Sequence, residues 1–332
     1  MIAGLIIKII AGVTLMIISI IAALLLDGAD RVLNARLQRR YGPPVLQPFY
    51  DILKLLGKET IIPRRAVRWV FTLAPWLACV LTLLIFLCIP MGRIPSVLYA
   101  EGDMILILYL LTFSAVVMAI GGFASGNPFA SVGAGREIQL IMSYGLPLAV
   151  VVSTVAWVAW KTKMPGEPFS LDTFTGLSIW SVVGETGFVG LICLALSLIA
   201  VVPGVTGKGS MDIPEAKTEI LDGFIIEYSG TNLALYKITF ALRSTAMAAV
   251  TTSIFFPFSL GGLVGLTGPL LALIDFVGFW AKIALVQLVL ITVMRTVFGR
   301  LKIWQASQFY LIEVSMLSLA GMILISVDIM MR

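Results

Sequence analysis

Residues 104–124 read MILILYLLTFSAVVMAIGGFA and contain no charged side chain. A helix of this length rises by about 30 Å, which matches the hydrocarbon core of a bilayer. Similar apolar runs recur along the 332 residues, of which 59% are hydrophobic and 12% are charged. Because a helix satisfies its own backbone in lipid, these runs predict an all-α integral membrane protein. We expect one transmembrane domain, 1–332, with about eight transmembrane helices near 3–26, 69–90, 104–124, 137–160, 178–202, 231–256, 272–297 and 305–330.

Two apolar stretches, residues 2–26 and 255–271, differ from an ordinary transmembrane span in position or regularity. Residues 2–26 are longer than the core of a signal peptide and show no small-residue cleavage pattern before Asp27, so we expect a retained helix. Residues 255–271 are interrupted by two prolines and four glycines. Such breaks favour a re-entrant or surface-lying segment over a regular span.

Basic residues are distributed unevenly between the predicted connections. Fifteen of the 23 Lys and Arg residues fall in the first, third, fifth and seventh loops, and only four fall in the even-numbered loops and at the C-terminus. Since basic loops stay in the cytoplasm, this bias predicts that the N- and C-termini lie outside. The same bias explains the net charge of +5 and gives no support for nucleic-acid binding.

The long first loop contains an amphipathic segment, residues 46–59. Its apolar residues recur at helical spacing, whereas Asp51, Lys54 and Lys58 fall elsewhere on the helical wheel. We expect a short cytoplasmic amphipathic helix at the membrane surface. It is either an element that docks and lines a site or a loop that rests on lipid headgroups.

The chain has no histidine, and its three cysteines, Cys79, Cys88 and Cys193, lie in apolar runs without a Cys-x-x-Cys pair. Haem, histidine-based zinc sites and iron–sulfur clusters need ligands of these types. We therefore expect no catalytic residue, no metal and no cofactor in this chain. Any electron transfer would occur in a partner.

Ionisable residues interrupt the predicted spans. A charge at bilayer depth costs a few kcal/mol, and it usually faces the bundle interior or marks an ion pathway. Carboxylates whose pKa values are set by nearby cations could form a proton or cation relay. The alternative is a set of buried ion pairs that fix helix register. The candidates are Glu137 at the start of the fourth span, Glu185 inside the fifth, Lys237 and Arg243 in the sixth, and Asp275 and Lys282 on one face of the seventh.

The cytoplasmic loop between the fifth and sixth spans, residues 203–230, is acidic, and we call it the acidic loop. Asp212 can cap a helix that has Pro214 in its first turn. The next carboxylates would then recur at i, i+4 and i+7 on one face, where they repel each other. Plain packing does not require this arrangement, although a solvated acidic face remains the alternative. The carboxylates of the acidic loop are Asp212, Glu215, Glu219, Asp222 and Glu227.

This loop resembles that of a known family. The runs DIPEAKTEI at 212–220 and EYSG at 227–230 are similar to the acidic loop of the subunit 1 family of respiratory complex I. They are also similar to the matching subunit of energy-converting membrane-bound hydrogenases. The basic first loop, GAGR at 133–136 and Ser143-Tyr144 agree with this resemblance, which covers nearly the whole chain.

Two departures distinguish the branches of this family. Quinone-reducing members typically carry an Asn-Arg-Val-Gly-Pro insert after the first Gly-Pro, whereas here residues 42–44 run straight on to residues 46–48. The Ser-Tyr-Glu of complex I is here Ser143-Tyr144-Gly145. Both favour the hydrogenase branch, which includes sulfane reductases. Glu137, two turns earlier, is the candidate to replace the missing carboxylate.

The resemblance implies a non-catalytic membrane-anchor subunit of a ferredoxin-linked, hydrogenase-type respiratory complex in a prokaryotic cell membrane. Its partners would be a hydrogenase-like large subunit, iron–sulfur subunits with 4Fe–4S clusters and antiporter-like membrane subunits, with a NiFe centre in the hydrogenase case. The acidic loop would sense charge changes in the redox arm, and the buried charges would couple them to proton or sodium translocation. The alternatives are a quinone-pocket subunit of NADH:quinone oxidoreductase and a secondary transporter. We find no internal repeat of the kind such transporters often carry.

Overall fold

The structure is a computed structural model that describes residues 2–98, 103–176, 178–259, 261 and 269–331. Within these residues eight helices are long and apolar enough to cross a membrane, which confirms the predicted all-α membrane fold. A shorter helix lies in the first loop. In chain order the helices are α1 (Ile2–Leu37), α2 (Gln47–Leu56), α3 (Arg68–Cys88), α4 (Asp103–Ala124), α5 (Pro128–Lys161), α6 (Glu185–Thr206), α7 (Gly230–Phe255), α8 (Leu270–Val297) and α9 (Ile303–Met331).

Several helices extend beyond the predicted apolar spans. Helix α1 continues to Leu37, well past the predicted end at residue 26. Helix α5 begins at Pro128 rather than near residue 137, because the Asn127 side chain accepts a hydrogen bond from the Phe129 amide and caps the helix. Hydropathy marks where lipid ends, and the helices continue past that point into polar sequence.

The loops lie at two ends of the bundle. We call the basic end the one formed by residues 38–67, 125–127, 207–229 and 298–302, and the terminal end the one formed by residues 89–98 and 162–184 together with the residues near both chain termini. Contacts between loops join each end. At the terminal end, for example, the Ser96 hydroxyl donates to Asp172 at 2.9 Å.

Helix α7 is the centre of the bundle. In its most apolar stretch 89% of the residues are buried, against 28% for α1 and 33% for α9. It packs against α1, α2, α3, α6 and α8. Its residues 241–253 are mostly Ala, Ser and Thr, which allow close helix approach and offer hydrogen-bonding groups inside the membrane domain. Polar side chains on α7 are therefore buried among helices and kept away from lipid.

Helix α2 occupies the predicted amphipathic segment and packs on α1 and α7. It buries Ile52 and Leu55, whereas Leu53 and Leu56 are exposed. The buried face of α2 therefore includes only some of the apolar residues that recur at helical spacing in this segment. Contact of α2 with lipid headgroups stays a prediction.

The broken apolar stretch at 255–271 lies partly outside the described residues, which omit 260 and 262–268. Helix α7 ends at Phe255, and α8 begins at Leu270. The re-entrant or surface-lying segment expected here stays a prediction. Of the three cysteines, Cys79 and Cys88 are buried and Cys193 is half-buried.

Candidate functional site

The acidic loop is not the continuous helix that its spacing predicted, and this prediction is wrong. Its only α-helical turn among the described residues is Lys217–Ile220, and Asp212 does not begin it but follows a short 3-10 turn, Gly209–Met211. Leu221 and Asp222 have left-handed φ angles of 51° and 76°, so the chain turns away before a second turn can form. The carboxylates of this loop therefore do not share one helical face.

Close backbone packing replaces that helix. Gly223 has a φ of 59°, and a Cβ there would lie 1.8 Å from the carbonyl oxygen of Pro214, so the loop folds back on itself. A Cβ at Gly133 of α5 would lie 2.6 Å from the backbone nitrogen of Phe224, so the loop also rests directly on α5. Tyr228 then stacks on Phe71 of α3 with 4.0 Å between ring centroids. These contacts fix the loop against the membrane domain.

Four of the five carboxylates of the acidic loop have a specific polar partner, and two of those partners are arginines outside the loop. The solvated acidic face considered above therefore describes only part of this loop. The pairs are Glu219 with Arg136 at 2.6 Å, Asp212 with Arg300 at 3.0 Å, Asp222 with Lys217 at 3.5 Å, and Glu227 with the amide of Asn127 at 2.5 Å.

Glu215 is the exception. It is half-buried and makes no ion pair within the described part of the chain. Burial raises its pKa well above the ordinary value of 4.5, and the nearby carboxylates of Asp212, Glu137 and Asp222 raise this pKa further, whereas Arg243 opposes the shift. Burial also raises the pKa of Asp212, against the opposing effect of Arg300. Glu215 thus holds a proton more readily than an exposed carboxyl group does, and two of the charges that act on it are the buried residues Glu137 and Arg243.

Those two residues, Glu137 of α5 and Arg243 of α7, form a buried ion pair. Nη1 of Arg243 lies 3.3 Å from Oε1 of Glu137, with side-chain exposures of 2% and 6%. Nη1 also approaches the sulfur of Met118 at 3.7 Å. Nε and Nη2 of Arg243 have no hydrogen-bond acceptor among the described residues. The guanidinium therefore keeps two donors that can serve a second carboxylate.

Asp275 and Lys282 lie at the terminal end and have separate partners. Oδ2 of Asp275 is 2.8 Å from Nε of Arg93. Nζ of Lys282 donates to the backbone carbonyl oxygens of Phe256 and Phe258, both at 2.8 Å. The shared helical face predicted for Asp275 and Lys282 therefore does not make them an ion pair, and neither contacts Glu137 or Arg243.

Two other candidates stand apart from the buried pair. Glu185 was expected inside the fifth span, and this placement is wrong: it is the first residue of α6 and is exposed at the terminal end. The apolar residues before it form a separate turn, Ile179–Ser181, capped by Ser178. Lys237 is half-buried in α7 and makes no ion pair within the described residues.

Sequence reasoning missed a polar group around Asp27. This residue of α1 pairs with Lys208 at 2.7 Å and with Arg31 at 2.9 Å. Asp30 of the same helix is buried and pairs with Arg295 at 3.4 Å. The available signal was the spacing of Asp27, Asp30 and Arg31, which keeps them on one side of a helix that continues past the apolar run.

No group of three or more His, Cys, Asp or Glu residues within the described ranges is arranged to hold a metal ion. The arrangement can instead accept, hold and shift charge. Raised pKa values, a buried ion pair with unused donors and arginine-bound carboxylates are the parts of a titrating network.

Known proteins resemble this chain in both sequence and structure. Formate hydrogenlyase subunit 4 of Escherichia coli (strain K12) is 31% identical over 246 residues, which are 72% of this chain and 77% of that protein. An NADH-quinone oxidoreductase subunit of Dehalococcoides mccartyi (strain CBDB1) is also 31% identical, over 327 residues, 94% of this chain and 84% of that one. A chain of the membrane-bound sulfane sulfur reductase, an archaeal respiratory membrane complex, matches with a TM-score of 0.79 and 26% identity, covering 95% of this chain and 98% of that chain.

Sequence identity alone does not separate the branches, because relatives of both kinds reach 31%. The family itself is clear. The sequence model described as NADH dehydrogenase matches residues 9–326, a range that contains the acidic loop and both partners of the buried pair. The chain therefore belongs to the NADH dehydrogenase family.

Proposed function

We propose that this chain is the membrane-anchor subunit of a hydrogenase-type, ion-translocating respiratory complex. It couples electron transfer in a peripheral arm to ion movement in the membrane, and it is not itself catalytic. One observation carries the proposal: the Glu137–Arg243 ion pair is buried inside the bundle one helical turn from Gly133, where the acidic loop rests on α5. A charge change above the loop therefore has a physical path to a charge inside the membrane domain.

The coupling begins at the basic end. Electron transfer in the partner changes the local potential, and Glu215 responds because burial and the nearby carboxylates already raise its pKa. When Glu215 is ionised, Arg243 is attracted toward it through its unused donors; when it is protonated, Arg243 returns fully to Glu137. Arg136 and Arg300 hold the rest of the loop in place, so the charge change does not merely displace the loop.

The hydrogenase branch is supported by relatives and by two features of this chain. Formate hydrogenlyase subunit 4 and hydrogenase-4 component C of Escherichia coli are both 31% identical to it. The insert of quinone-reducing members is absent from its first loop. Gly145 stands where those members carry a carboxylate, and a Cβ there would have no heavy atom within 4 Å.

We also propose partner subunits for this chain and its orientation in the membrane. Ferredoxin supplies electrons to iron–sulfur subunits with 4Fe–4S clusters, and these feed a hydrogenase-like large subunit that carries a NiFe centre or a related one. Antiporter-like membrane subunits translocate protons or sodium ions. The basic end faces the cytoplasm of a prokaryote, and both termini face outward. Lys237, Asp275, Lys282 and Glu185 are further proposed members of the ion route.

A quinone-pocket subunit is the second candidate. NADH-quinone oxidoreductase subunits of Dehalococcoides mccartyi and Bacteroides fragilis match 94% and 96% of this chain. Gentle purification of the native complex with mass spectrometry separates the two candidates. A hydrogenase-like large subunit with antiporter-like subunits supports the first. Flavin-bearing NADH dehydrogenase subunits and bound quinone support the second and contradict the first.

The coupling is tested in inverted membrane vesicles that hold the whole complex. We expect Glu215→Gln and Glu137→Gln to lower the number of ions translocated per electron or to stop turnover. The matched control is Glu167→Gln, an exposed carboxylate at the terminal end. An unchanged ion-to-electron ratio in both variants, with normal amounts of complex, would contradict the proposal.

A further inference from the structure

A second chain of polar side chains runs from the basic end into the bundle on different helices. Nζ of Lys208, just after α6, lies 2.7 Å from Oδ1 of Asp27 in α1. The same ammonium donates to the hydroxyl of Ser244 in α7 at 3.3 Å. Gln287 of α8 donates to that hydroxyl at 3.3 Å, and the Thr245 hydroxyl donates to the Gln287 side-chain oxygen at 3.2 Å. Three helices and the start of the acidic loop thus meet in one hydrogen-bonded chain.

The chain of polar groups is accessible at its outer end and buried at its inner end. The side chains of Asp27 and Lys208 each keep 15% exposure. Ser244 and Thr245 are 0% exposed and Gln287 is 1% exposed. Thr245 lies about 22 Å along α7 from its first residue, at 1.5 Å per residue. The hydroxyls of Ser244 and Thr245 also reach the carbonyl oxygen of Ala241 within α7. The Gln287 amide instead bonds to these two hydroxyls on another helix, and burying an amide at such depth costs free energy that close packing alone does not explain.

The outer end is also joined to the surface helix. Arg31 bridges Asp27 at 2.9 Å and Asp51 of α2 at 3.1 Å. The charged groups around the Asp27 carboxylate are therefore Arg31 from α1, Lys208 from the acidic loop and, one step further, Asp51 from α2. The carboxylate is balanced by two cations, and its protonation state depends on both.

The inner end is placed beside an irregular turn of α8. Gln287 immediately precedes a π-helical turn, Leu288–Val293. Thr292 of that turn donates to Asp30 of α1, which ties the turn to the same helix that carries Asp27. Such turns are rare and frequently occur at functional sites. Gln287 therefore lies directly beside a break in the regular α-helical hydrogen bonding of α8.

We propose that Asp27 and Lys208 form a second charged entrance to the ion route, where a proton taken up at the basic end stays on Asp27 and changes the charge that faces the buried groups of Ser244, Gln287 and Thr245. The inference rests on the proposed function and adds an entrance to the same translocation. A proton taken up by the Asp27 carboxylate removes its attraction for Lys208, and the ammonium then shifts toward Ser244. Ser244 follows Arg243 in α7, so both entrances act on adjacent positions of one central helix.

The test uses vesicles that contain the whole complex and measures protons translocated per electron, electron-transfer rate and the amount of assembled complex. We expect Asp27→Asn, Lys208→Gln and Thr245→Val each to lower the proton-to-electron ratio at least twofold, whereas Lys208→Arg keeps it. The matched control is Thr251→Val in the same helix. Thr251 is also buried, and its hydroxyl donates to the carbonyl oxygen of Met247 within α7.

The double variant Asp27→Asn/Lys208→Gln separates a role in ion coupling from a merely structural role. If the pair only holds the acidic loop, removal of both charges restores the ratio, and the proposal is overturned. A ratio that stays low in assembled complex supports it. If charge variants at Asp27 fail to assemble, Thr245→Val decides, and a normal ratio there overturns the proposal. When Glu215→Gln lowers the ratio but none of these variants does, the second entrance fails while the proposed function stands.

Discussion

Nη1 of Arg243 and Oε1 of Glu137 lie 3.3 Å apart between α7 and α5, with little exposure of either side chain. The acidic loop rests on α5 and leads directly into α7. The ion pair therefore joins the two helices that hold this loop in place. Attraction within a buried pair offsets the cost of desolvating two charges only while both partners are present. The pair therefore makes the geometry under the loop sensitive to a single charge.

Glu137→Gln is expected to lower the stability of the subunit by about 3–5 kcal/mol, because it leaves the Arg243 charge buried and unpaired. Glu167→Gln, at an exposed site, should stay within about 0.5 kcal/mol of the parent protein. Unfolding of the purified complex in detergent measures both. The double variant Glu137→Gln/Arg243→Gln should recover part of the loss. Unfolding of Glu137→Gln identical to that of the parent would show that Arg243 has another partner.

The raised pKa of Glu215 predicts how the stability of the subunit depends on pH. Its folded-state pKa is raised above 4.5, so above pH 4.5 the folded state holds this proton more tightly than the unfolded state does. The stability that comes from this group is present at lower pH and is lost as the pH rises from 4.5 through the raised pKa.

Glu215→Gln should remove that loss, because its side chain stays neutral. We expect the variant to match the parent near pH 5 and to unfold at higher temperature than the parent at pH 8. Thermal unfolding of the complex at several pH values measures the difference. Parallel curves for the two proteins would mean that Glu215 does not titrate in this range.

The sequence predicted the fold well, because lipid forces every span to be long and apolar. It also identified Glu137 and Arg243, since a charge inside an apolar run is conspicuous. It could not pair them, because hydropathy and periodicity describe one helix at a time, whereas this contact joins two helices 106 positions apart in the chain.

The wrong helix prediction in the acidic loop and the missed residue Asp27 each have a cause at a particular position in the chain. The helix predicted through the acidic loop is broken at Leu221 and Asp222, which both take left-handed φ angles. Leu rarely adopts this conformation, so no sequence signal announced the break. Asp27 was missed because the apolar window ended at residue 26, although α1 continues to Leu37. The Asp27–Lys208 pair then depends on tertiary packing that only coordinates provide.

Gly133 and Gly135 of α5 form a matched pair for testing how the acidic loop is seated. A Cβ at Gly133 would meet the backbone of Phe224 at 2.6 Å, whereas a Cβ at Gly135 would have no heavy atom within 4 Å. Gly133→Ala should cost about 1–3 kcal/mol by overpacking. Gly135→Ala should be neutral or stabilising by up to about 1 kcal/mol, since Ala is the better helix former.

Limited proteolysis of residues 207–229 and thermal unfolding report both effects. The Gly133→Ala variant should be cleaved faster in the loop than Gly135→Ala at the same protease concentration. Equal cleavage of the two variants would show that the loop does not depend on its contact with α5.

Variants of Lys282 distinguish a stabilising role of this charge at the terminal end from a role in ion translocation. Its ammonium donates to the carbonyl oxygens of Phe256 and Phe258, which follow the last residue of α7. Lys282→Met should therefore cost about 1–3 kcal/mol, while Lys282→Arg, which keeps the donors and the charge, should retain most of the stability.

Thermal unfolding measures this cost, and the ion-to-electron ratio of the same preparations reports any further role. A normal ratio in assembled Lys282→Met complex assigns Lys282 to the structure of the α7 terminus, and a lowered ratio places it on the ion route. Unfolding of Lys282→Met at the parent's temperature would contradict the stabilising role derived from these two hydrogen bonds.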